Sequence, residues 1–210
     1  MRAREALKYL DENSKKRNFT QSIELIINLR DLDLKRPDNR IKEEILLPAP
    51  LSKPRKVGVI GTLLTQKYKD IADVSITEEM LNEFINDKKK FKKIIKKVDH
   101  LLAEPQLMVK ITKEFGKMLG TRGKIPRPVP PNVDAKEMIK KLKNTIKINV
   151  RDVPIIQVVI GYEDMKEEDI LKNYDAVLNA VLKKLPNGIQ NIRSVYIKKT
   201  MSVPIRVDIK

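Results

Sequence analysis

Ser194-Val-Tyr-Ile-Lys-Lys-Thr-Met-Ser-Val-Pro-Ile-Arg-Val-Asp208 reads as two strands joined by a tight polar turn, Lys199-Thr200-Met201-Ser202. Beyond the turn, Val203, Ile205, Val207 and Ile209 alternate with Ser202, Pro204, Arg206, Asp208 and Lys210. One face of the closing strand is therefore expected to be buried and the other wet. Pro204 has no N–H to give to a ladder, which places this strand at a sheet edge. A basic hairpin at an edge, tipped by a hydroxyl and a thioether, suits contact with a polyanion.

The partners of the hairpin lie at both ends of the chain. Phe19 to Leu29 alternates Ile23, Leu25, Ile27 and Leu29 against Ser22, Glu24 and Asn28, a half-buried strand that begins at Phe19. Before it, Ala3, Ala6, Leu7 and Leu10 share one face of a charged amphipathic helix. Ile155 to Tyr162 is strongly apolar and is expected at the centre of a sheet. Ile170, Tyr174, Val177, Leu178, Val181 and Leu185 then trace a helix face, stopped by Pro186-Asn187-Gly188. Neither end makes a core alone. Together they predict an α+β domain from residues 1–53 and 151–210, an antiparallel sheet with helices on one side.

Residues 54–150 read as a domain inserted into the first. Pro48, Pro50 and Pro54, with Ser and Lys between them, look like a linker, and Pro126, Pro128, Pro130 and Pro131 like a stiff loop. Val57-Gly-Val-Ile-Gly61, Asp73-Val-Ser-Ile76 and His100-Leu-Leu-Ala103 are short apolar runs that alternate with helical stretches. Thr77 is positioned as an N-cap, one helix spans Pro105 to Leu119, and another Ala135 to Lys143. That alternation predicts a three-layer, Rossmann-like α/β domain with a parallel sheet. Two chain crossings at proline-rich segments would give a hinge.

Composition narrows the function. The 210 residues carry a formal net charge of +16, so the chain attracts polyanions at neutral pH. A hydrophobic content of 41% excludes disorder, and 4% aromatic residues with no Trp gives aliphatic cores. Without Cys and with one His, neither a thiolate nor a His-based metal centre is expected, and no cofactor is implied. No apolar run is long enough for a signal peptide or a membrane span, so a cytoplasmic protein without a membrane partner is expected.

Two motifs in the middle segment need weighing. In Lys88-Lys-Lys-Phe-Lys-Lys-Ile-Ile-Lys-Lys97, Phe91, Ile94, Ile95 and Val98 stand at helical spacing, leaving the lysines to water. This is either a solvated face or a sequence-independent surface for RNA phosphates. Gly116-Lys-Met-Leu-Gly-Thr-Arg-Gly-Lys-Ile-Pro126 is Gly-rich and basic, but Met118 and Ile125 break the phosphate-loop pattern. Gly120-Thr-Arg-Gly123 matches the short clamp of KH modules, a weak signal alone. Val57-Gly-Val-Ile-Gly61 lacks dinucleotide-site spacing, and His100 has no catalytic partners, so no catalytic residue is assigned.

Three of these features occur together in one family. Ser-Val-Tyr at 194–196, Thr200-Met201 and Arg206-Val207-Asp208 resemble the C-terminal signature of the ribosomal protein L-one family, with Ser202 where that signature has Gly. Leu119, Gly120, Arg122, Gly123 and Pro126 resemble its internal signature, with Lys124 inside the same loop. The extended linker and the Arg-Pro-Val-Pro-Pro after the loop look closer to its archaeal and eukaryotic branch, and the archaeal type is expected.

The resemblance implies a structural protein of the mobile stalk of the large ribosomal subunit that binds large-subunit ribosomal RNA directly. It implies a place beside other large-subunit components, a role in releasing deacylated tRNA from the exit site, and repression of its own mRNA. It implies a monomer when free. It also implies that Phe19, next to Asn18 and the basic run Lys15-Lys16-Arg17, joins Ser194, Thr200 and Met201 in one RNA-binding patch. On that patch Thr200 would offer its hydroxyl to a ribose or base edge, Met201 an apolar body, Ser202 close backbone approach, and Lys198, Lys199 and Arg206 phosphate contacts. The internal loop would matter less for RNA affinity. Two other classes compete: a generic basic RNA-binding or assembly factor, and a nucleotide-dependent enzyme using the α/β segment.

Overall fold

The computed structural model describes residues 1–130 and 134–209. Pro131 and Lys210, which figured in the proline loop and the closing alternation, lie outside the described residues. The chain mixes helices with parallel and antiparallel sheets and divides into two compact units, Met1–Pro54 with Asn144–Lys210, and Arg55–Lys143.

In the first unit, α1 (Ala3–Asn13) leads into β1 (Ser22–Leu29) and β2 (Ile41–Leu46). After the excursion into the second unit come β7 (Thr145–Val150), β8 (Ile155–Tyr162), α7 (Glu167–Lys184), β9 (Ile192–Lys199) and β10 (Ile205–Val207). The main sheet is antiparallel with order β10-β9-β1-β8, and β2 pairs with β7 beside it. Period-two alternation sends Ile23, Leu25, Ile27 and Leu29 of β1 into the core, each at most 4% exposed. Burial of such side chains stabilises by about 1.5–3 kcal/mol apiece. They meet Ala6, Leu7 and Leu10 of α1 and Ile170, Tyr174 and Val177 of α7 in one cluster. One sheet face is thus covered by helices.

Several expectations need correcting. β7 belongs with the first unit, so the boundary near 150 moves back to 144: Ile146 and Ile148 bury against Ile41 and Ile45 across the β2–β7 pair. β8 is an edge strand rather than a central one. Its apolar content reflects one alternating face in which Ile156, Val158 and Ile160 are buried while Ile155 and Gln157 are exposed. β10 is three residues long and Val203 is 73% exposed, because pairing with β9 begins only at Ile205. The strand at the chain start opens at Ser22, leaving Phe19 in the loop before it.

The proline-rich segment is also more than a linker. Leu47, Ala49 and Leu51 are buried, and fully buried Asn173 on α7 holds the segment by both backbone groups of Ala49. Its side-chain oxygen accepts the Ala49 N–H at 2.9 Å, while its amide donates to the Ala49 carbonyl at 3.2 Å and the Ile160 carbonyl at 2.9 Å.

The second unit runs β3 (Val57–Ile60), α2 (Leu63–Tyr68), β4 (Val74–Ile76), α3 (Glu78–Asn86), α4 (Lys88–Lys96), β5 (His100–Ala103), α5 (Pro105–Gly120), β6 (Arg127–Pro128) and α6 (Lys136–Lys143). Its sheet is parallel, β4-β3-β5-β6. Ile60, Leu101 and Ala103 pack on one side with α3, α4 and α5, and Val57, Val59 and Leu102 on the other with α2 and α6. Thr77 caps α3 by accepting the Met80 N–H at 3.3 Å.

At the β3–α2 corner, where this topology places anions in nucleotide-binding proteins, Glu104 already sits. Its buried carboxylate accepts the Leu64 N–H at 2.9 Å and fills the space a side chain at Gly61 would need. A resident carboxylate repels a phosphate, which counts against the nucleotide-enzyme reading. His100 is buried in the same unit.

Candidate nucleic-acid interface

The Lys199–Ser202 turn closes the end of the main sheet. The Ser202 N–H donates to the Lys199 carbonyl at 3.0 Å, and the Ser202 hydroxyl accepts the Lys199 N–H at 2.8 Å. Ser202 does not take a positive φ, so the side chain where the resembled signature has Gly is tolerated and ties the turn together. Met201 projects from the tip, 59% exposed.

Behind the turn lies a residue the sequence reading passed over. Gln21 is 1% exposed, and its side-chain oxygen accepts the Met201 N–H at 3.1 Å. The Gln21 backbone N–H donates to Glu163 Oε1 at 2.9 Å and its amide to Glu163 Oε2 at 3.3 Å. The same amide reaches the Lys15 carbonyl at 3.5 Å, which ties in the basic run before Phe19. Phe19, two residues from this hub, is 49% exposed instead of joining the core. An aromatic ring and a thioether are therefore held in water at one end of the sheet, next to Lys15, Lys16, Arg17 and Asn18, all exposed. Nothing in the periodicity marks Gln21 or Glu163.

Two assigned roles change. The Thr200 hydroxyl accepts the Ser22 N–H at 3.0 Å and lies 2.9 Å from the Ser22 hydroxyl, so it fastens the turn to the start of β1 rather than facing outward. Lys199 is 6% exposed and its ammonium pairs with Asp11 at 2.8 Å and Glu163 at 3.9 Å, which removes it from the phosphate contacts. Period two turns Lys199 inward with Ile197 and Val195, and only a paired charge is tolerated there.

Lys198 and Arg206 keep the open face. The residues opposite one another across the four strands are Arg206, Tyr196, Ile26 and Gln157, and Lys198 stands opposite Glu24 one step nearer the turn. Tyr196 is the second residue the sequence reading missed, although its alternation with Val195 and Ile197 turns it outward. Ser194 is not in the turn patch. It lies six residues back along β9, about 20 Å away at strand rise, and its hydroxyl accepts the Asn28 amide at 2.9 Å.

The Gly120-Thr-Arg-Gly123 loop is the stop of α5. The Lys124 N–H donates to the Leu119 carbonyl at 3.0 Å and the Gly123 N–H to the Gly120 carbonyl at 3.1 Å, with Gly123 at φ +62. This is the left-handed cap that glycine makes without penalty. Lys124 turns inward, donating to the Ile95 carbonyl in the last turn of α4 at 3.0 Å and to the Val98 carbonyl just beyond it. Burial lowers its pKa, Asp99 partly opposes this, and Arg122 adds to it. Pro126 is buried, while Arg122 is half-buried. The loop geometry serves packing.

A model of the ribosomal protein L1p/L10e family matches residues 10–203. The chain belongs to the ribosomal protein L1p/L10e family. The large ribosomal subunit protein uL1 of Methanocaldococcus jannaschii is 41% identical over 204 residues, covering 97% of this chain and 93% of that protein. Those of Picrophilus torridus and Archaeoglobus fulgidus are each 42% identical, over 98% and 93% of this chain and 96% and 92% of theirs. The chain is thus of the archaeal type, and the L1p/L10e family is one of structural proteins, not enzymes. The family match takes in Gln21, Glu163 and the whole turn and ends at Val203, before β10. Among the described residues no helix is long and apolar enough to cross a membrane, and no cluster of metal-ligating side chains is found.

Proposed function

We propose that this L1p/L10e-family chain is a cytoplasmic component of the large ribosomal subunit and binds large-subunit ribosomal RNA directly through the first unit. The observation that carries this reading is the turn end of the main sheet, where Phe19 and Met201 stay exposed although buried Gln21 rigidly organises the backbone behind them. Exposed apolar groups on a preorganised, basic rim suit the splayed bases and sugars of folded RNA. Lys198, Arg206 and the Lys15–Arg17 run supply phosphate contacts, Phe19 and Met201 contact bases or sugars, and Thr200, Ser202 and Lys199 position them. The finer roles are proposed from the resemblance to the family: a place at the stalk among other large-subunit components, release of deacylated tRNA from the exit site, and repression of the chain's own mRNA by binding it.

The test is titration of the purified protein with a stalk-region ribosomal RNA fragment, tRNA and a shuffled hairpin at two salt concentrations. A preference of about a thousandfold that survives the higher salt is expected of specific recognition. Equal binding to all three, collapsing with salt, leaves only a basic RNA-binding protein and overturns the reading.

A further inference from the structure

The lysine face of α4 is built against the interests of its own helix. Phe91, Ile95 and Val98 are fully buried, and on the opposite side Lys89, Lys92, Lys93 and Lys96 are exposed within an arc of about 100°. Two like-charge i,i+4 pairs result, Lys89 with Lys93 and Lys92 with Lys96, each unfavourable in an isolated helix. Lysines also occupy the whole first turn, where the helix dipole disfavours cations and no acidic residue stands within the helix. Asp87 offsets this as the cap, accepting the Lys89 and Lys90 N–H groups at 3.1 and 3.2 Å. Of the neighbouring lysines, Lys88 pairs with Glu114 at 3.3 Å and Lys90 with Asp87 at 3.8 Å. Lys89, Lys92, Lys93 and Lys96 form no ion pair among the described residues.

We propose that this face is a second polyanion-docking surface, on the unit that lacks the Lys199–Ser202 turn, and that it takes the phosphate backbone of a folded RNA without reading sequence. Four ammonium groups spread over about 10 Å of helix axis match the axial rise of about three phosphates on one duplex strand. The buried apolar stripe decides against a lipid surface. An interfacial helix sinks its apolar face into the bilayer, and here that face is locked into the core with Phe84 and Phe115.

The experiment uses the full chain and a 20-base-pair RNA duplex of arbitrary sequence. The variant K89Q/K92Q/K93Q/K96Q keeps helix propensity while removing four charges. It is compared with K8Q/K35Q/K42Q/K166Q, which removes the same charge from scattered exposed positions. The α4 variant is expected to bind the duplex at least tenfold more weakly at moderate salt, with the slope of log affinity against log salt flatter by about 3. The scattered variant is expected to stay within threefold of the parent. Equal effects of the two variants, or none from the α4 set, overturn the proposal. Loss of binding to phosphatidylserine vesicles with duplex affinity intact assigns the face to membranes and overturns it too. On the unaltered protein, the duplex should protect Lys89, Lys92, Lys93 and Lys96 from amine acylation, and unprotected lysines count against it. The α4 variant should keep the parent's preference for the stalk-region fragment over the shuffled hairpin, so failure here is separable from failure of the turn site.

Discussion

The side-chain oxygen of Gln21 accepts the backbone N–H of Met201 at 3.1 Å, so a fully buried amide fixes the position of an exposed thioether. Gln21→Ala removes the side-chain bonds to Glu163 and Met201, leaving the backbone bond to Glu163 Oε1 in place, and should cost about 1–3 kcal/mol in denaturant unfolding. It should also weaken RNA binding at least tenfold. Met201→Ala should lower RNA affinity while changing stability by under about 0.5 kcal/mol. Loss of stability without loss of affinity in Gln21→Ala would separate the hub from the site.

Thr200 and Ser22 share a hydroxyl–hydroxyl contact and a backbone bond, so their substitutions should not add. Thr200→Ala and Ser22→Ala should each destabilise by roughly 1 kcal/mol, and a double-mutant cycle should show coupling of about 0.5 kcal/mol or more. Additive values would mean that the hydroxyl faces RNA after all.

Adjacent lysines should behave oppositely. Lys199→Met leaves Glu163 half-buried without its cation and should cost roughly 2–3 kcal/mol. Lys198→Met should leave the melting temperature nearly unchanged while flattening the salt dependence of RNA binding. The reverse pattern would exchange their roles.

The two glycines of the internal loop should give opposite signs. Gly123→Ala forces a side chain into φ +62 and should destabilise by about 1 kcal/mol. At helical Gly120 an added methyl meets nothing within 4 Å, and Gly120→Ala should stabilise by up to about 1 kcal/mol. Thermal unfolding of the two variants decides it.

Tyr174 sets an alkaline limit. Burial, helped by Asp175, raises its phenol to about 12 from an ordinary 10.0. Between those pH values the unfolded chain has released this proton and the folded one has not, so stability present below pH 10 falls as pH rises toward 12. Tyr174→Phe should flatten that part of the stability profile, by on the order of 2 kcal/mol across the window. An unchanged profile would remove Tyr174 as its source.

The strong periodicities carried most of this fold. The alternation in β1 and the apolar stripes of α1 and α7 fall where the spacing places them, because burial acts on each side chain of a regular element in turn. β2 was hidden by Ile41 and Ile45, whose four-residue spacing is not a strand signal, and by exposed Leu46. β7 does alternate, with Ile146, Ile148 and Val150 inward, but a domain boundary placed at 150 assigned it to the inserted segment. The edge position of β8 depends on which strands pair, which composition does not encode.

At the interface, Met201 and the exposed basic residues were legible from a short polar turn between apolar strands. The inward turn of Lys199 was legible too, since it shares parity with Val195 and Ile197, yet charge was allowed to outweigh period. Gln21 was not legible: its burial comes from Glu163 and Met201, 142 and 180 residues away in the chain.

The pairing of β1 with strands that begin at Ile155 and Ile192 has a consequence for synthesis. The second unit is a continuous stretch and holds all its own partners once Lys143 has emerged from the ribosome. β1, made much earlier, presents two unsatisfied edges until β8 and β9 are translated. The growing chain is therefore most exposed to wrong pairing during the interval in which the second unit is already folded and β1 still waits for β8 and β9.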